Sequence, residues 1–454
     1  MFYVELNKKG GGGMKEENLI SFCMISRKGI PYDIVENSIA EYLIENHNIM
    51  ILVGKPYIYR NGVFKSDEHG IYIQYLIKQL ILPKLRSDSR IMRVYKLILK
   101  DYRLQVEISQ TNNYPKYWIN FLNGMLDIKT GILHQHSPTY RSVNQIPHNY
   151  KPGLNIEKSV FNKFLLSRIP DEDNRKMLYE YMGYCLLPDV IFQKFLILVG
   201  MGNAGKSVIL NQQSKILGAE NLAAVPLQSL SERFTTASLL NKQCNVCGDL
   251  SNAAIKDTSV LKQLTGEDLC KGEIKGGAIF IFKNRAKFLF SCNELPAILD
   301  DRSNGFYRRL LIIRFEQEGD FIPDLYEQLS DENEIEIIIS HIVRGAKEAL
   351  DRGKLFESGA NLGEVSRLQE DSDSVASFFN NVVVQDESSR VRRPDLYAAY
   401  LDYCKQEERI SLGKTAFFKA VRTKGYRESK VQGKIYVCGI KLDFMSIDST
   451  PFDD

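Results

Sequence analysis

The sequence predicts an α/β protein of several domains, built around a mostly parallel sheet flanked by helices. At 454 residues the chain exceeds the size of one compact core, so two to four domains are expected. Between about Phe192 and Phe315, apolar strand-like runs alternate with helical patterns, and this order is typical of a parallel sheet. The run from Phe195 to Val199 leads into the glycine-rich segment Gly200 to Ser207 and then into Val208-Ile209-Leu210, which predicts a strand, a loop and a helix.

The segment from Gly200 to Ser207 fits the pattern G-x-x-x-x-G-K-[ST]. A loop that closes on a triphosphate turns its backbone N–H groups inward, and it needs glycine where a Cβ would block the approach or where φ is positive. The following helix directs its positive N-terminal end at the same anion. Lys206 is placed to reach the β- and γ-phosphates, and the Ser207 hydroxyl to bind Mg²⁺. We therefore predict ATP and Mg²⁺ as ligands, with ATP held by Gly200, Gly202, Asn203, Ala204, Gly205, Lys206 and Ser207.

The sequence ahead of this core divides into three parts. Residues 1–13 end in four glycines and are expected to be a linker or the remnant of a tag. Residues 14–110 carry helical patterns on both sides of a strand-like run from Ile49 to Tyr59, which predicts a small N-terminal α/β domain. Residues 111–190 show a strand, an Asn-Gly turn and a second strand, and then a helical collar from Val160 to Leu187.

Three further parts are predicted from residue 191 onward. The core with its helical lid spans residues 191–363, and the helical pattern from Ile322 to Leu350 is expected to lie over the nucleotide. Residues 364–374 are acidic and serine-rich, which predicts a linker. Residues 375–454 are predicted to form a C-terminal domain with an acidic tail.

The C-terminal domain shows an amphipathic helix, a second helix with Ser411 as its N-cap, and a hairpin around Gln432-Gly433. Helices followed by a basic hairpin are typical of a winged helix. From Arg390 to Lys441 there are thirteen Lys or Arg against five Asp or Glu, a balance typical of nucleic-acid binding. A basic face that is merely solvated is the alternative. The predicted DNA contacts are Lys414, Lys419 and Arg422.

Polar positions downstream of the loop decide what kind of NTPase this is. Asp249 follows a strand-like run and is placed to hold Mg²⁺ through water. Asn293 ends another apolar strand, where an amide can orient the attacking water. Arg308 and Arg309 precede the strand Leu310 to Phe315, and an arginine there can stabilise charge on the transferring phosphoryl group. Each position alone also fits an ordinary turn or surface residue, but their order behind the loop favours the joint interpretation.

Five segments of the sequence carry a family resemblance. They are Gly200 to Ser207, Glu232-Arg-Phe-Thr-Thr-Ala-Ser-Leu-Leu-Asn-Lys, Lys262-Gln-Leu-Thr-Gly-Glu-Asp, Phe290-Ser-Cys-Asn-Glu-Leu-Pro and Gly305-Phe-Tyr-Arg-Arg. In these segments the chain resembles superfamily 3 helicases, the hexameric AAA+ motors of viruses, phages and mobile elements, and in particular the phage and poxvirus primase-helicase family. Replication initiators of Gram-positive phages and staphylococcal pathogenicity islands look closest.

The resemblance implies an AAA+ core and a role for each candidate in the nucleotide site. Lys206 and Ser207 would bind phosphate and Mg²⁺, and Asp249 would be the Walker B acid. Asn293 would be the sensor. Arg309 is favoured over Arg308 as the arginine finger, because it opens the following strand directly, and in a ring it would act on the neighbouring subunit's site.

The resemblance also implies a hairpin between the Walker B and sensor strands that faces the central channel of the ring. Lys271 and Lys275 are the best candidates on it to bind the phosphates of one DNA strand. Two departures from the family pattern stand out. Gly248 occupies the place where a second Walker B acid is usual, which puts the water-activating group in doubt. The N-terminal region also lacks the metal-binding residues of a primase, so no primase activity is expected.

We predict an ATP-dependent DNA helicase and replication initiator of a phage or mobile genetic element that forms a hexamer and moves along one DNA strand. Its expected partners are a single strand in the channel, an origin duplex at the C-terminal domain, and host replication proteins. One rival is a nucleotide-gated, origin-binding scaffold, which the missing second acid favours. The other is a small-molecule kinase, which would need neither the channel lysines nor the basic C-terminal domain.

Composition indicates where in the cell the protein is expected to act. No apolar run approaches the length of a membrane span and no signal pattern opens the chain, so we expect no membrane contact and a place in the bacterial cytoplasm. The eight cysteines show no disulfide framework. Cys244 and Cys247 form a C-x-x-C without a second ligand pair nearby, so a buried strand is favoured over a zinc site.

Overall fold

A computed structural model describes residues 16–251, 255, 258–277, 279–296, 298, 304–315, 323–407, 409 and 411–443. The predicted linker at 1–13 and the acidic tail beyond residue 443 lie outside these ranges. The N-terminal unit combines a four-stranded sheet, in the order β5-β4-β3-β6, with two long helices that pack on α2. Its elements are α1 (Glu16–Leu19), β1 (Cys23–Ile25), β2 (Pro31–Ile34), α2 (Glu36–Asn46), β3 (Ile49–Leu52), β4 (Lys55–Arg60), β5 (Val63–Ser66), α3 (Ile71–Leu80), α4 (Asp88–Lys100) and β6 (Gln105–Val106).

The run from Ile49 to Tyr59, expected as one strand, is a hairpin. Val53 and Gly54 form its turn with φ of 50° and 72°, and Leu52 pairs with Lys55 across it. The apolar pattern continues through the turn because β3 is buried on both faces, so periodicity alone gave no sign of the break.

The collar region begins with a three-stranded antiparallel sheet and ends with two helices. The predicted hairpin is present, with its turn at Leu122-Asn123 and Gly124 already paired with Phe121. The predicted helical stretch breaks at Pro170, as expected of a residue that lacks a backbone donor. The elements are β7 (Trp118–Phe121), β8 (Gly124–Asp127), β9 (Leu133–His134), α5 (Val160–Arg168) and α6 (Glu172–Tyr184).

The core is a five-stranded parallel sheet in the order β11-β12-β15-β10-β16. The first strand in the chain, β10, therefore lies between the last two, and the carboxyl ends of β10, β12 and β15 meet at one edge. The predicted parallel sheet is confirmed. The elements are β10 (Phe195–Val199), α7 (Lys206–Leu217), β11 (Leu222–Ala223), β12 (Cys244–Cys247), α8 (Ser259–Thr265), β13 (Leu269–Glu273), β14 (Ile279–Lys283), β15 (Lys287–Cys292), α9 (Asn304–Tyr307) and β16 (Leu310–Arg314).

The two faces of this sheet are covered by different layers. Leu196 and Leu198 of β10 join a cluster with α7 and the collar helices, whereas Phe195, Ile197 and Val199 join a second cluster with α8 and the β13–β14 hairpin. All five residues are at most 2% exposed. A strand that is buried on both sides reads as a continuous apolar run, and this explains the sequence pattern. The collar helices thus pack directly on one face of the core sheet.

A helical lid follows the sheet. It consists of α10 (Leu325–Gln328), α11 (Glu332–Arg352) and α12 (Gly359–Ser372). The expected helix from 322 to 350 is confirmed in α11, while residue 322 lies outside the described ranges. The linker expected at 364–374 is wrong for its first nine residues, which continue α12. Acidic and serine-rich composition had suggested a loop, but Val365 and Leu368 pack against the core.

The C-terminal domain has a three-stranded antiparallel sheet, ordered β17-β19-β18, against three helices. The predicted hairpin is confirmed, with Gln432 and Gly433 in its turn at φ of 47° and 80°. The predicted N-cap is wrong: the second helix begins later, after Gly413 rather than Ser411. The elements are α13 (Ser374–Val382), β17 (Val383–Arg392), α14 (Arg393–Gln406), α15 (Lys414–Thr423), β18 (Glu428–Val431) and β19 (Lys434–Leu442). Among the described helices, each is too short or too polar to cross a bilayer.

Candidate functional site

The glycine-rich loop lies between β10 and α7, as predicted. Asn203 and Gly205 hold left-handed φ values of 61° and 101°, so the loop turns back on itself just before the helix. A Cβ on Gly205 would lie 2.6 Å from Cζ of Phe164 on α5. Glycine is therefore required here twice, for its φ and for the close approach of the collar.

The Lys206 ammonium folds over this loop. It donates to the carbonyl oxygen of Gly200, to that of Met201 at 2.8 Å, and to Oδ1 of Asn293 at 3.3 Å. Burial lowers the pKa of Lys206, and the nearby Cys292 and Asp249 act in the opposite sense. The lysine and the sensor-strand amide, 87 residues apart, are therefore in contact.

Asp249 lies two residues beyond the end of β12, with a left-handed φ of 56°. Its backbone N–H donates to Oγ of Ser291, one strand away, at 3.4 Å. This bond ties the turn after β12 to the end of β15. Asp249 is close enough to Lys206 to raise the pKa of that ammonium.

One cavity of about 1120 Å³ joins these groups. It opens at the carboxyl edge of the sheet and brings together the loop, the end of β12 and the end of β15. Of the predicted ATP and metal ligands, the residues that line it are Gly202, Asn203, Ala204, Gly205, Lys206, Ser207 and Asp249, and the predicted catalytic residue Asn293 lines it as well. Gly200 contributes its carbonyl to Lys206 from beneath the loop.

The cavity has walls that sequence reasoning missed. Phe164 and Arg168 of α5 line it on one side, and Asp324, Tyr326 and Glu327 line it at the lid. These residues lie about forty positions before the loop and more than a hundred after it, in segments without a motif. Only the packing of the collar and the lid on the core reveals them.

The lid residues are fixed to the loop helix. Lys215, near the end of α7, donates to the carbonyl oxygen of Tyr326 at 3.3 Å and to Oγ of Ser330. The Tyr326 side chain itself is 52% exposed at the cavity. An aromatic ring is thus held at the mouth by its backbone, with one face free of the core.

Gly248 lines the same cavity, where a second acid was expected from the family pattern. A Cβ there would lie 3.3 Å from Leu210 of α7 and 3.5 Å from Oγ of Ser291. The position is therefore narrow, although its backbone does not demand glycine. Two other carboxylates, Asp324 and Glu327, enter the cavity from the lid.

The arginine pair lies at the opposite edge of the sheet. Leu310 pairs with Phe195, the first residue of β10, and the loop begins after its last residue. Five strand residues at about 3.3 Å each place the pair roughly 15 Å from the loop of the same chain. Neither arginine is among the described residues that line the cavity of the same chain.

The two arginines differ in exposure. Arg309 is 9% exposed, and it donates to the carbonyl oxygen of Gly305 and to Oε1 of Gln193 at 3.5 Å. Arg308 is exposed. The finger role stays a prediction, but the preference for Arg309 does not suit its burial, because a finger must reach another subunit. Arg308 is the better placed residue.

The hairpin predicted between β12 and β15 is present, while its place in a ring channel stays a prediction. β13 and β14 pair in antiparallel register, with Lys271 opposite Ile281, and Lys275 lies in the turn region between the strands. Both lysines are exposed. In the C-terminal domain, Lys414 and Arg422 line a second cavity, while Lys419 is exposed but does not line it.

The residues that line this cavity, and its size, would fit ATP and Mg²⁺. Its volume exceeds the usual range of about 300–1,000 Å³ for small-molecule sites, which leaves room for a base, a ribose and three phosphates. The loop amides and Lys206 supply donors at one end, and Phe164 and Tyr326 supply aromatic surface. Ser207 and Asp249 would hold Mg²⁺, an ion that takes its remaining ligands from phosphates and water.

Three family models match separate segments of the chain. Residues 41–169 match a model described as D5 N terminal like, and residues 370–444 match one described as poxvirus D5 protein-like. Residues 198–309 match a family of unknown function, DUF5906. The last segment contains the phosphate-binding loop, Asp249, Asn293 and the arginine pair.

A protein of Acanthamoeba polyphaga mimivirus, named as a candidate helicase, is 28% identical over 211 residues. The match covers 44% of this chain and 22% of the viral protein, so the chain aligns with about a fifth of that relative. Among solved structures, an apo form of the NrS-1 C-terminal region matches with a TM-score of 0.51 at 14% identity. It covers 89% of this chain and 98% of that region, and the likeness concerns the fold.

These matches support the phage and poxvirus primase-helicase family. Two of the matching models are named for D5 proteins, and the viral relative is named for a helicase.

Proposed function

We propose that this chain is an ATP-dependent DNA helicase and replication initiator of a phage or mobile genetic element. The observation that carries the proposal is the meeting of Lys206, Ser207, Asp249 and Asn293 in one cavity at the carboxyl edge of a parallel sheet. A loop lysine, a metal-holding pair and a water-orienting amide are the parts that triphosphate hydrolysis requires. The strand order β11-β12-β15-β10-β16 supports an AAA+ core.

The proposed reaction is transfer of the γ-phosphoryl group to water. Lys206 and the loop amides neutralise and orient the phosphates, and Asn293 positions the water. Ser207 and Asp249 hold Mg²⁺, which supplies further neutralisation of charge. Gly248 brings no acid, so we assign activation of the water to a lid carboxylate, Asp324 or Glu327.

The position of the arginines supports a ring assembly, and the family resemblance favours a hexamer. Since Arg308 lies far from its own cavity and is exposed, it acts on the site of a neighbouring subunit in the proposed assembly. The β13–β14 hairpin would then present Lys271 and Lys275 to one DNA strand in the channel. The element order α13-β17-α14-α15-β18-β19 supports a winged helix for duplex DNA.

The first test replaces Lys206. Lys206→Ala should abolish ATP hydrolysis and strand displacement on a forked duplex while DNA binding remains measurable. Lys55→Ala, an exposed lysine of the N-terminal sheet, is the matched control and should keep wild-type turnover. Normal turnover in Lys206→Ala would refute the assignment of the loop.

The second test addresses the ring. Mass measurement with and without ATP should show a hexamer, and a persistent monomer would contradict the motor. Arg308→Ala should bind ATP but hydrolyse it poorly. Mixing it with Lys206→Ala should restore part of the activity, because an intact arginine then faces an intact loop. Wild-type hydrolysis by Arg308→Ala would exclude that residue as the finger, and Arg309→Ala would then be tested in the same way.

A second candidate is a nucleotide-gated scaffold that assembles at an origin without processive unwinding. Gly248, in place of a second Walker B acid, favours it. The two functions separate in one assay: DNA-stimulated hydrolysis without strand displacement supports the scaffold, and displacement supports the helicase.

A further inference from the structure

The C-terminal domain contains a cleft of about 510 Å³ that differs from the helix surface predicted to bind DNA. Three separate chain segments form it: the start of α14, one side of α15, and the start of β19. We call it the cationic cleft and define it by Arg392, Arg393, Lys414, Thr415, Arg422 and Lys434. Five of these six side chains carry a positive charge.

Contacts within the domain hold the charged side chains of the cleft in place. Glu428 lies behind it, 3.5 Å from both the Arg393 Nε and an Nη of Arg422, and so links two walls. The Arg393 guanidinium also lies 4.0 Å from the centre of the Phe418 ring, in the core of the domain. Arg392 forms a two-point pair with Asp395 at 2.6 and 2.8 Å. These contacts fix the arginines before any ligand arrives.

The charge inside remains unbalanced. No acidic side chain is among the described residues that line the cleft. Lys414 and Lys434 are exposed and form no ion pair with a described residue. Like charges drawn together from three segments repel one another, and a polyanion relieves that repulsion.

The shape of the cleft indicates which anion. A space of 510 Å³ is roughly 8 Å across, wide enough for a backbone phosphate group of a strand. Among the residues that the structure describes, the lining offers no aromatic side chain for stacking a base, unlike sites for single strands. Arginine forks and lysines are suited to phosphates.

We propose that the cationic cleft clamps the sugar-phosphate backbone of duplex DNA, independent of sequence, and that Lys419 takes no part. This inference deepens the proposed function and rests on its DNA-binding half only. It also changes the expected contact surface. Lys414 and Arg422 act from the cleft together with Lys434, rather than with Lys419 along one exposed helix face.

The test uses the full chain and a short blunt duplex of arbitrary sequence, without nucleotide, at a series of salt concentrations. Lys414→Ala and Lys434→Ala should each weaken binding several-fold and reduce the slope of log affinity against log salt by about 1, because each removes one phosphate contact. Lys419→Ala and Lys430→Ala are the matched controls in the same domain and should keep the wild-type slope.

Two outcomes would overturn the proposal. One is an equal loss in all four variants, which would indicate a diffuse charge effect. The other is competition by inorganic phosphate at low concentration with unchanged duplex affinity in the cleft variants, which would indicate a site for a small free anion. ATP hydrolysis without DNA is measured in parallel. If ATP hydrolysis is absent but DNA binding still depends on the cleft residues, the proposed helicase function is refuted and the proposed DNA-binding cleft is supported.

Discussion

Replacing Gly205 by alanine should cost this protein most of its nucleotide affinity. Two effects add at that position. Its φ of 101° is a conformation that L-residues adopt at a cost of about 1–2 kcal/mol. The new Cβ would also lie 2.6 Å from Cζ and 3.2 Å from Cε2 of Phe164, a ring that is 1% exposed and has little room to move. Overpacking of this kind costs about 1–3 kcal/mol.

Together these effects amount to about 2–5 kcal/mol, and each 1.4 kcal/mol corresponds to tenfold in affinity. A loop that must keep its shape to bind ATP should therefore bind it at least about thirtyfold more weakly in Gly205→Ala. Gly202→Ala is the matched control, because a Cβ at Gly202 meets nothing within 4 Å and its φ is not left-handed. Its affinity should stay within a few-fold of wild type.

The assay is equilibrium binding of a fluorescent ATP analogue with Mg²⁺, with thermal unfolding as a check that each variant is folded. Adding Phe164→Leu to Gly205→Ala should recover the steric part of the loss and leave the backbone part, with Phe164→Leu alone as the reference because that ring also lines the cavity. Equal affinities of Gly205→Ala and Gly202→Ala would refute the reasoning. Full recovery of ATP affinity in the double variant would also refute it, because the left-handed backbone at residue 205 would then carry no energetic cost for alanine.

Three other predictions concern the lid, the collar and a buried charge. Tyr326→Ala should raise the KM for ATP about tenfold, because the ring can no longer stack on the base, and Tyr326→Phe should keep the wild-type KM. Equal KM values for the two variants would exclude a contact between Tyr326 and the base. Gly183→Ala should lower the unfolding midpoint by an amount equivalent to about 2 kcal/mol or more, because its Cβ would overlap the Ile342 carbonyl, whereas Gly363→Ala, in open space on α12, should raise it slightly. Burial lowers the pKa of Lys287 from 10.5 to about 8, so the folded state favours the neutral amine. Between pH 8 and pH 10.5 the unfolded chain therefore binds more protons than the folded chain. The free energy of unfolding should rise with pH over this range, by up to about 3 kcal/mol. Lys287→Met should remove this rise in unfolding experiments at pH values on either side of that range, and an unchanged pH profile would contradict the low pKa.

The grouping of the glycine-rich loop with Asp249 and Asn293 could be predicted because each part is local in the sequence. Lys206 and Ser207 are fixed by the loop that contains them, and Asp249 and Asn293 follow directly from strands that end at the same edge of the sheet. Parallel strands place their carboxyl ends together, so adjacency in space follows from the strand pattern. The contact between Lys206 and Asn293 confirms that step.

The other half depends on packing between distant segments. Phe164 reaches Gly205 only because α5 covers one face of the sheet, and Tyr326 reaches the cavity only because Lys215 holds its carbonyl. No spacing rule connects these positions. The preference for Arg309 shows the same limit, since sequence order favoured it while burial favours Arg308.

Three layers therefore meet at the nucleotide cavity: the core loop, the collar through Phe164, and the lid through Tyr326. The helix α7 connects them, because Lys206 opens it at the loop and Lys215, nine residues on, holds the lid. A movement of the loop at the first residue of α7 would therefore also move Lys215 near the other end of the same helix. Since α5 also contacts Gly205, the collar responds to the same event. If ATP binds in this cavity as proposed, we expect it to raise the stability of the collar and the lid together, because α7 and α5 connect both of them to the loop.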